Sequence, residues 1–131
     1  MRARGPQAGF TLSEILITIA ILAILASIAL PGYLKAIERG YWRGAQDVLL
    51  VIYSGEQVYE AVNDTYVDPA GCVTPPPWKC VYMDNPNGGP VAYAVDNLNA
   101  NISFRATATR NGKSMTIDET KVIDTKGWPQ P

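Results

Sequence analysis

The chain has 131 residues, of which 47% are hydrophobic and 18% charged, and its net charge is −1. That length allows one domain plus an appendage, and so balanced a charge supplies no basic field for nucleic acid. The absence of histidine excludes His-based triads, His-ligated metals and ordinary imidazole acid–base chemistry.

The hydrophobic residues are unevenly spread. From Ile15 to Leu30 every residue is Ile, Leu or Ala except Thr18 and Ser27. A helix over Thr11 to Leu30 would be roughly 30 Å long, about the thickness of a hydrocarbon core. Arg2 and Arg4 precede the run, so the positive-inside rule puts this leader in the cytoplasm and the rest of the chain outside. A cleaved secretory signal would share the basic start and apolar middle, with a small-residue exit around Ala23–Ser27. A plain signal anchor would also accept the run. Neither gives a purpose to Glu14, because an acidic residue at the centre of a membrane helix costs about 2.5–3.5 kcal/mol. A third reading does. A cut between Gly9 and Phe10 would create an α-amino group on Phe10, positive near neutral pH, with Glu14 one helical turn away. The carboxylate could pair with it inside one subunit, or with the Phe10 amine of an axially staggered neighbour. The second pairing would reward one register of assembly.

The stretch GFTLSEILITIAILAILASIALPGY, Gly9 to Tyr33, resembles the processing and assembly segment of type IV pilins and the related pseudopilins. The family shares a short basic leader ending in Gly, a following Phe, Glu at the fifth mature position, and a long apolar helix with a Pro. The resemblance implies that Gly9 ends the leader and that Phe10 becomes the mature N-terminus, N-methylated by the prepilin peptidase. It also implies that Glu14 is the assembly carboxylate and Pro31 the kinking residue. The expected organisation is a cleaved leader over 1–9, a transmembrane and filament-core helix over 10–32, and a globular domain over 33–131.

Pro31 lacks an N–H and crowds the preceding turn, so it either ends the helix or bends it, with Gly32 adding freedom. Helical patterning resumes beyond it, which favours a kink. Ile37, Tyr41, Ala45, Val48, Ile52, Tyr59 and Val62 form one stripe of an amphipathic helix, with Glu38, Arg39, Gln46, Asp47, Glu56 and Glu60 on other faces. Gly40, Gly44 and Gly55 each weaken that helix by nearly 1 kcal/mol relative to Ala, which suggests close packing or bending. Asn63-Asp64 ends it. A helix from Phe10 to about Asn63 would be roughly 80 Å long, more than its own domain can enclose, so its apolar half needs a membrane or copies of itself as cover.

Cys72 and Cys80 flank VTPPPWK within a long ordered loop over Thr65–Pro90. Beside an export segment, a disulfide is a better reading than a metal pair, because two thiols alone rarely make a zinc site. Closing so short a loop contributes roughly 2–3 kcal/mol and pins the local shape of a surface loop. Alternation then takes over: Val91, Tyr93 and Val95, then Ile102, Phe104, Ala106 and Ala108. Arg110 to Lys113, RNGK, is a type I′ hairpin signal. Met115 and Ile117 follow, and Lys121 to Asp124 can add a short strand. The expected fold is α+β: a long N-terminal helix packed on three or four antiparallel strands, with a disulfide-containing loop between them. The resemblance implies the same.

No catalytic constellation or phosphate loop stands out, so no enzymatic activity and no cofactor or metal are expected. Asp118, Glu119 and Asp124 could offer oxygen ligands to calcium, but their spacing matches no motif and solvated hairpin charges are preferred. Trp42, Trp78, Trp128 and the tyrosines read as packing residues or interface anchors. Asn63-Asp64-Thr65 and Asn101-Ile102-Ser103 fit the N-glycosylation pattern.

The family resemblance implies a structural subunit of a type IV pilus, stored as a single-pass precursor in the inner membrane and polymerised into a surface filament. Its partners would be identical subunits, the prepilin peptidase and the pilus assembly machinery, with surfaces or extracellular DNA as targets of adhesion, twitching motility or DNA uptake. The alternative is a pseudopilin of a type II secretion or competence system. The large C-terminal disulfide loop of many pilins is missing, which keeps that alternative open. A monomeric membrane-anchored binding domain is the reading from a different class.

Overall fold

The computed structural model describes residues 9–73 and 76–131. Arg2, Arg4 and Pro75 lie outside the described residues. The chain divides into two compact units, 1–37 and 38–131, and one helix, α1 (Leu12–Asn63), contributes residues to both.

In the first unit α1 begins on a reciprocal cap two residues later than the sequence reading placed it. Thr11 Oγ1 accepts the Glu14 N–H at 3.3 Å, and Glu14 Oε2 accepts the Thr11 N–H at 2.8 Å. This is a capping box, with two otherwise unsatisfied donors of the first turn satisfied by one Thr-x-x-Glu sequence. Helical geometry runs on across Pro31 and Gly32, so the proline does not end the helix.

In the second unit α1 presents Ala45, Leu49 and Ile52 to the core, all essentially inaccessible to solvent. The expected stripe is corrected at both ends. Ile37 and Val62 are exposed, whereas Leu49 and Glu56 are buried. The buried face thus runs through positions 45, 49, 52 and 56 at spacings of three and four. Gly55 is needed there, because a Cβ would stand 2.3 Å from the Val81 carbonyl oxygen. Asp64 ends α1 in the left-handed region at φ 57°, its N–H returning to the Glu60 carbonyl at 2.7 Å.

Four antiparallel strands follow in the order β1 (Ala92–Leu98), β2 (Ser103–Arg110), β3 (Lys113–Asp118) and β4 (Ile123–Asp124). The register aligns Val95, Ala106, Ile117 and Ile123 in one row across the sheet. Side chains alternate faces along a strand, so this row and the Ala108–Met115 pair face the core together. Ala106 and Ala108 are small and fully buried, which leaves the middle of the sheet room for larger neighbours in the same core. Ile102, expected on the inner face, precedes β2 and is exposed. The Arg110–Lys113 hairpin has Asn111 at φ 50° and Gly112 at φ 74°, the two positive angles that type I′ requires. The β1–β2 connection is less relaxed: Asn99, Ala100 and Asn101 are all left-handed.

Between α1 and β1, Cys72 and Cys80 form the disulfide. The bridge does more than shape a surface loop. It closes a segment that inserts Trp78 into the core, and Val81 just beyond it covers Gly55. The Trp78 N–H reaches back to the Pro69 carbonyl at 2.7 Å.

Candidate functional site

Every residue from Gly9 to Ile37 is exposed. The polar atoms inside the apolar run are turned onto their own backbone: the Thr18 hydroxyl donates to the Ile15 carbonyl at 2.8 Å, and the Ser27 hydroxyl to that of Ile24 at 2.7 Å. What remains on the surface is hydrocarbon. Covering a Leu or Ile side chain is worth about 1.5–3 kcal/mol, and more than ten such side chains lie bare between Ile15 and Leu34. The helix is long and apolar enough to cross a membrane.

Glu14 is the one charged residue between Gly9 and Leu34. It lies in the first turn of α1, its Oε2 holding both the Thr11 N–H and, at 2.9 Å, the Thr11 hydroxyl. Gly9 and Phe10 precede the helix in irregular backbone, Phe10 is 85% exposed, and nothing lies within 4 Å of the Gly9 Cβ position. The sequence reading assigned Glu14 to an amine and missed the cap. The signal was present in Thr11-Leu12-Ser13-Glu14, the capping-box pattern before an apolar run.

The second unit holds further carboxylates in special settings. Glu38, on α1, binds Arg110 and Lys113 at the β2–β3 hairpin, with Lys113 Nζ at 3.2 Å, and the Arg110 guanidinium lies 4.0 Å from the centre of the Tyr41 ring. Partial burial pushes the Glu38 carboxyl up, but the Lys113 hydrogen bond and the charges of Arg110 and Lys113 outweigh it and hold it below the usual range. Trp42 Nε1 donates to the Trp128 carbonyl at 2.9 Å, and Arg39 Nε to that of Pro131 at 2.9 Å, which fastens the chain's end to the same stretch of helix.

Glu56, expected on a solvated face, is fully buried. Its Oε2 accepts the Val67 N–H at 3.1 Å, while Oε1 has no partner. Desolvation pushes its carboxyl up to about 7; the Val67 bond opposes this and the Asp68 charge adds to it.

Asp118 and Asp124 line a polar depression with Arg105 and Thr116. The Asp118 carboxylate is engaged by Thr120, whose N–H lies at 3.0 Å, and the hydroxyl bond from Thr120 is the main influence holding its titration low. Among the described residues, no three His, Cys, Asp or Glu side chains are placed to hold a metal ion.

A capped, uncovered apolar helix and a helix-on-sheet domain with one loop disulfide together define a pilin-like α+β subunit. Residues 4–30 match the model of the prokaryotic N-terminal methylation motif. Fimbrial protein Q of Moraxella bovis is 32% identical over 122 residues, covering 84% of this chain and 78% of that protein. The type IV major pilin protein PilA of Myxococcus xanthus (strain DK1622) is 37% identical over 60 residues, or 46% of this chain. The match spans only 27% of the Myxococcus protein's length. No solved structure matches the chain. The chain belongs to the type IV pilin family.

Proposed function

We propose that this chain is a filament-forming type IV pilin. Residues 1–9 are a leader removed between Gly9 and Phe10, residues 10–32 serve first as a membrane anchor and then as filament core, and residues 33–131 form the exposed domain. The observation that carries this reading is the bare apolar surface from Ile15 to Leu34, which bears no charge and has its one acid, Glu14, just before it. Water is a poor solvent for that surface, so it needs lipid before assembly and other copies afterwards. Side-by-side copies related by a rotation and a rise do not close into a ring, and such contacts build filaments.

Glu14 has a defined place in this scheme. Before cleavage its carboxylate caps α1. Cleavage places a cationic amine on Phe10, next to the Thr11 N–H that Glu14 already binds. In low-dielectric surroundings a staggered neighbour's amine then becomes the strongest partner available to the carboxylate oxygens. The precursor resides in the inner membrane and the filament at the cell surface, with processing by the prepilin peptidase and assembly by separate machinery. Surface attachment, twitching motility and DNA uptake are the roles such a filament serves.

The test is to shear cells, image the released material, and measure the intact mass of its subunit. Long fibres whose subunit begins at methylated Phe10 are expected. A mature start beyond Ala23 would remove the pilin reading. One observation favours a pseudopilin as second reading: the Cys72–Cys80 bridge lies between α1 and β1 rather than after the sheet. Processed chain without any long surface fibre would select that reading.

A further inference from the structure

Gly40 and Gly44 lie one helical turn apart on α1 in the second unit, and nothing stands within 4 Å of either Cβ position. They differ in this from Gly55, which Val81 leaves no choice. A glycine inside a helix weakens it, so these two are a loss that the subunit's own packing does not recover. Both line an open groove of about 290 Å³ with Tyr41 and Val48 on the helix, and with Pro90 and Tyr93 on the facing wall. No charged residue lines it. About 150 Å³ of apolar cavity holds one benzene molecule, so the groove has room for roughly two aliphatic side chains.

We propose that this groove receives side chains from the apolar segment Ile15–Leu34 of a second copy of this chain. The proposal rests on the polymer reading above and adds a docking place to it. Three observations select this occupant. The segment carries no charge, matching an uncharged groove, so neither surface leaves a desolvated ion behind. Every residue of the segment is uncovered in its own chain, so its apolar side chains are free to enter the groove of another copy. Missing side chains at two positions one turn apart let another helix approach the backbone closely, as small residues do where apolar helices pack.

The test uses the full chain assembled by cells. Tyr93, whose backbone N–H and carbonyl bind Asn87 while its side chain walls the groove, is replaced by benzoylphenylalanine. Filaments built from a mixture of isotopically light and heavy subunits are irradiated, and the cross-linked peptides are mapped. Cross-links between copies into residues 15–34 are expected. Capture only within one chain, on another segment of a neighbour, or on lipid would overturn the proposal. Gly44→Leu provides the second arm. Filament yield should fall at least tenfold, while leader cleavage and the melting midpoint of the detergent-solubilised subunit stay at the parent level or rise. Parent-level filament yield in Gly44→Leu would overturn the groove alone. A parent chain that forms no filaments would overturn the polymer reading, and this proposal with it.

Discussion

The stretches of α1 before and after Ile37 share one backbone geometry and follow opposite side-chain rules. After Ile37 the helix is amphipathic, with Ala45, Leu49 and Ile52 buried and Asp47 and Arg43 in solvent. Before it, apolar side chains surround the helix on every side and all are exposed. An amphipathic helix is finished by its own sheet, whereas a helix apolar all round is finished only by something outside the chain. The comparison teaches that burial within a subunit measures which contacts are complete, and that exposed hydrocarbon marks those still to be made.

The contrast can be tested by substitution, and assembly should respond most strongly. Glu14→Gln keeps an acceptor for the Thr11 N–H but removes the charge. Cleavage at Gly9 should persist and sheared filament should drop at least tenfold; normal yield would show that capping alone is the residue's task. Next comes the core. Leu49→Ala should cost about 2–5 kcal/mol in the unfolding of detergent-solubilised protein, whereas Leu22→Ala, at an uncovered position, should leave that transition within about 0.5 kcal/mol of the parent. Equal losses at both sites would erase the distinction drawn here.

Glu56 offers a test by pH. Its carboxyl titrates near 7 in the folded chain against an ordinary value of 4.5, so between those values the folded state holds the proton that the unfolded state releases. Stability from this group is therefore full below about pH 4.5, falls as pH rises, and is lost once pH passes about 7. The total is on the order of 3 kcal/mol at most. Chemical denaturation at pH 5 and pH 8 should show the drop in the parent and a smaller one in Glu56→Gln. Removing the bridge with a Cys72→Ser, Cys80→Ser double variant should cost about 2–3 kcal/mol, visible as a lower melting midpoint that reductant no longer changes. The smallest effect is expected at Ala100. Relieving its left-handed backbone with Ala100→Gly should raise stability by a few tenths to about 1 kcal/mol, and a fall would mean that its methyl group packs.

Much of this was legible because local rules decided it. Asn111-Gly112 admits few conformations other than its turn, and the alternation at Phe104, Ala106 and Ala108 matches the buried face of β2. Asp64 stops α1 where Asn63-Asp64 suggested. What failed depended on partners distant in sequence. A carboxylate at position 56 looks solvated until the Val67 N–H, eleven residues on, is folded against it. Leu49 lies one position from a plausible stripe, and only the sheet decides which edge of the helix faces inward. The disulfide could be expected from an export context, but the insertion of Trp78 beside it follows from the shape of the core. At the N-terminus the Thr11–Glu14 cap was legible in the Thr-x-x-Glu spacing, but an acid beside an apolar run invites a search for a cation before a backbone donor.

In the filament proposed above, the hydroxyls of Thr18 and Ser27 would have a consequence for the passage of subunits between membrane and fibre. Because each is spent on its own backbone, the stretch from Ile15 to Leu30 shows no polar preference to its surroundings. Acyl chains and neighbouring leucines are near-equivalent solvents for such a surface. Exchange between the two would then be almost level in free energy, so that growth and withdrawal of a fibre could both be driven by a modest external push.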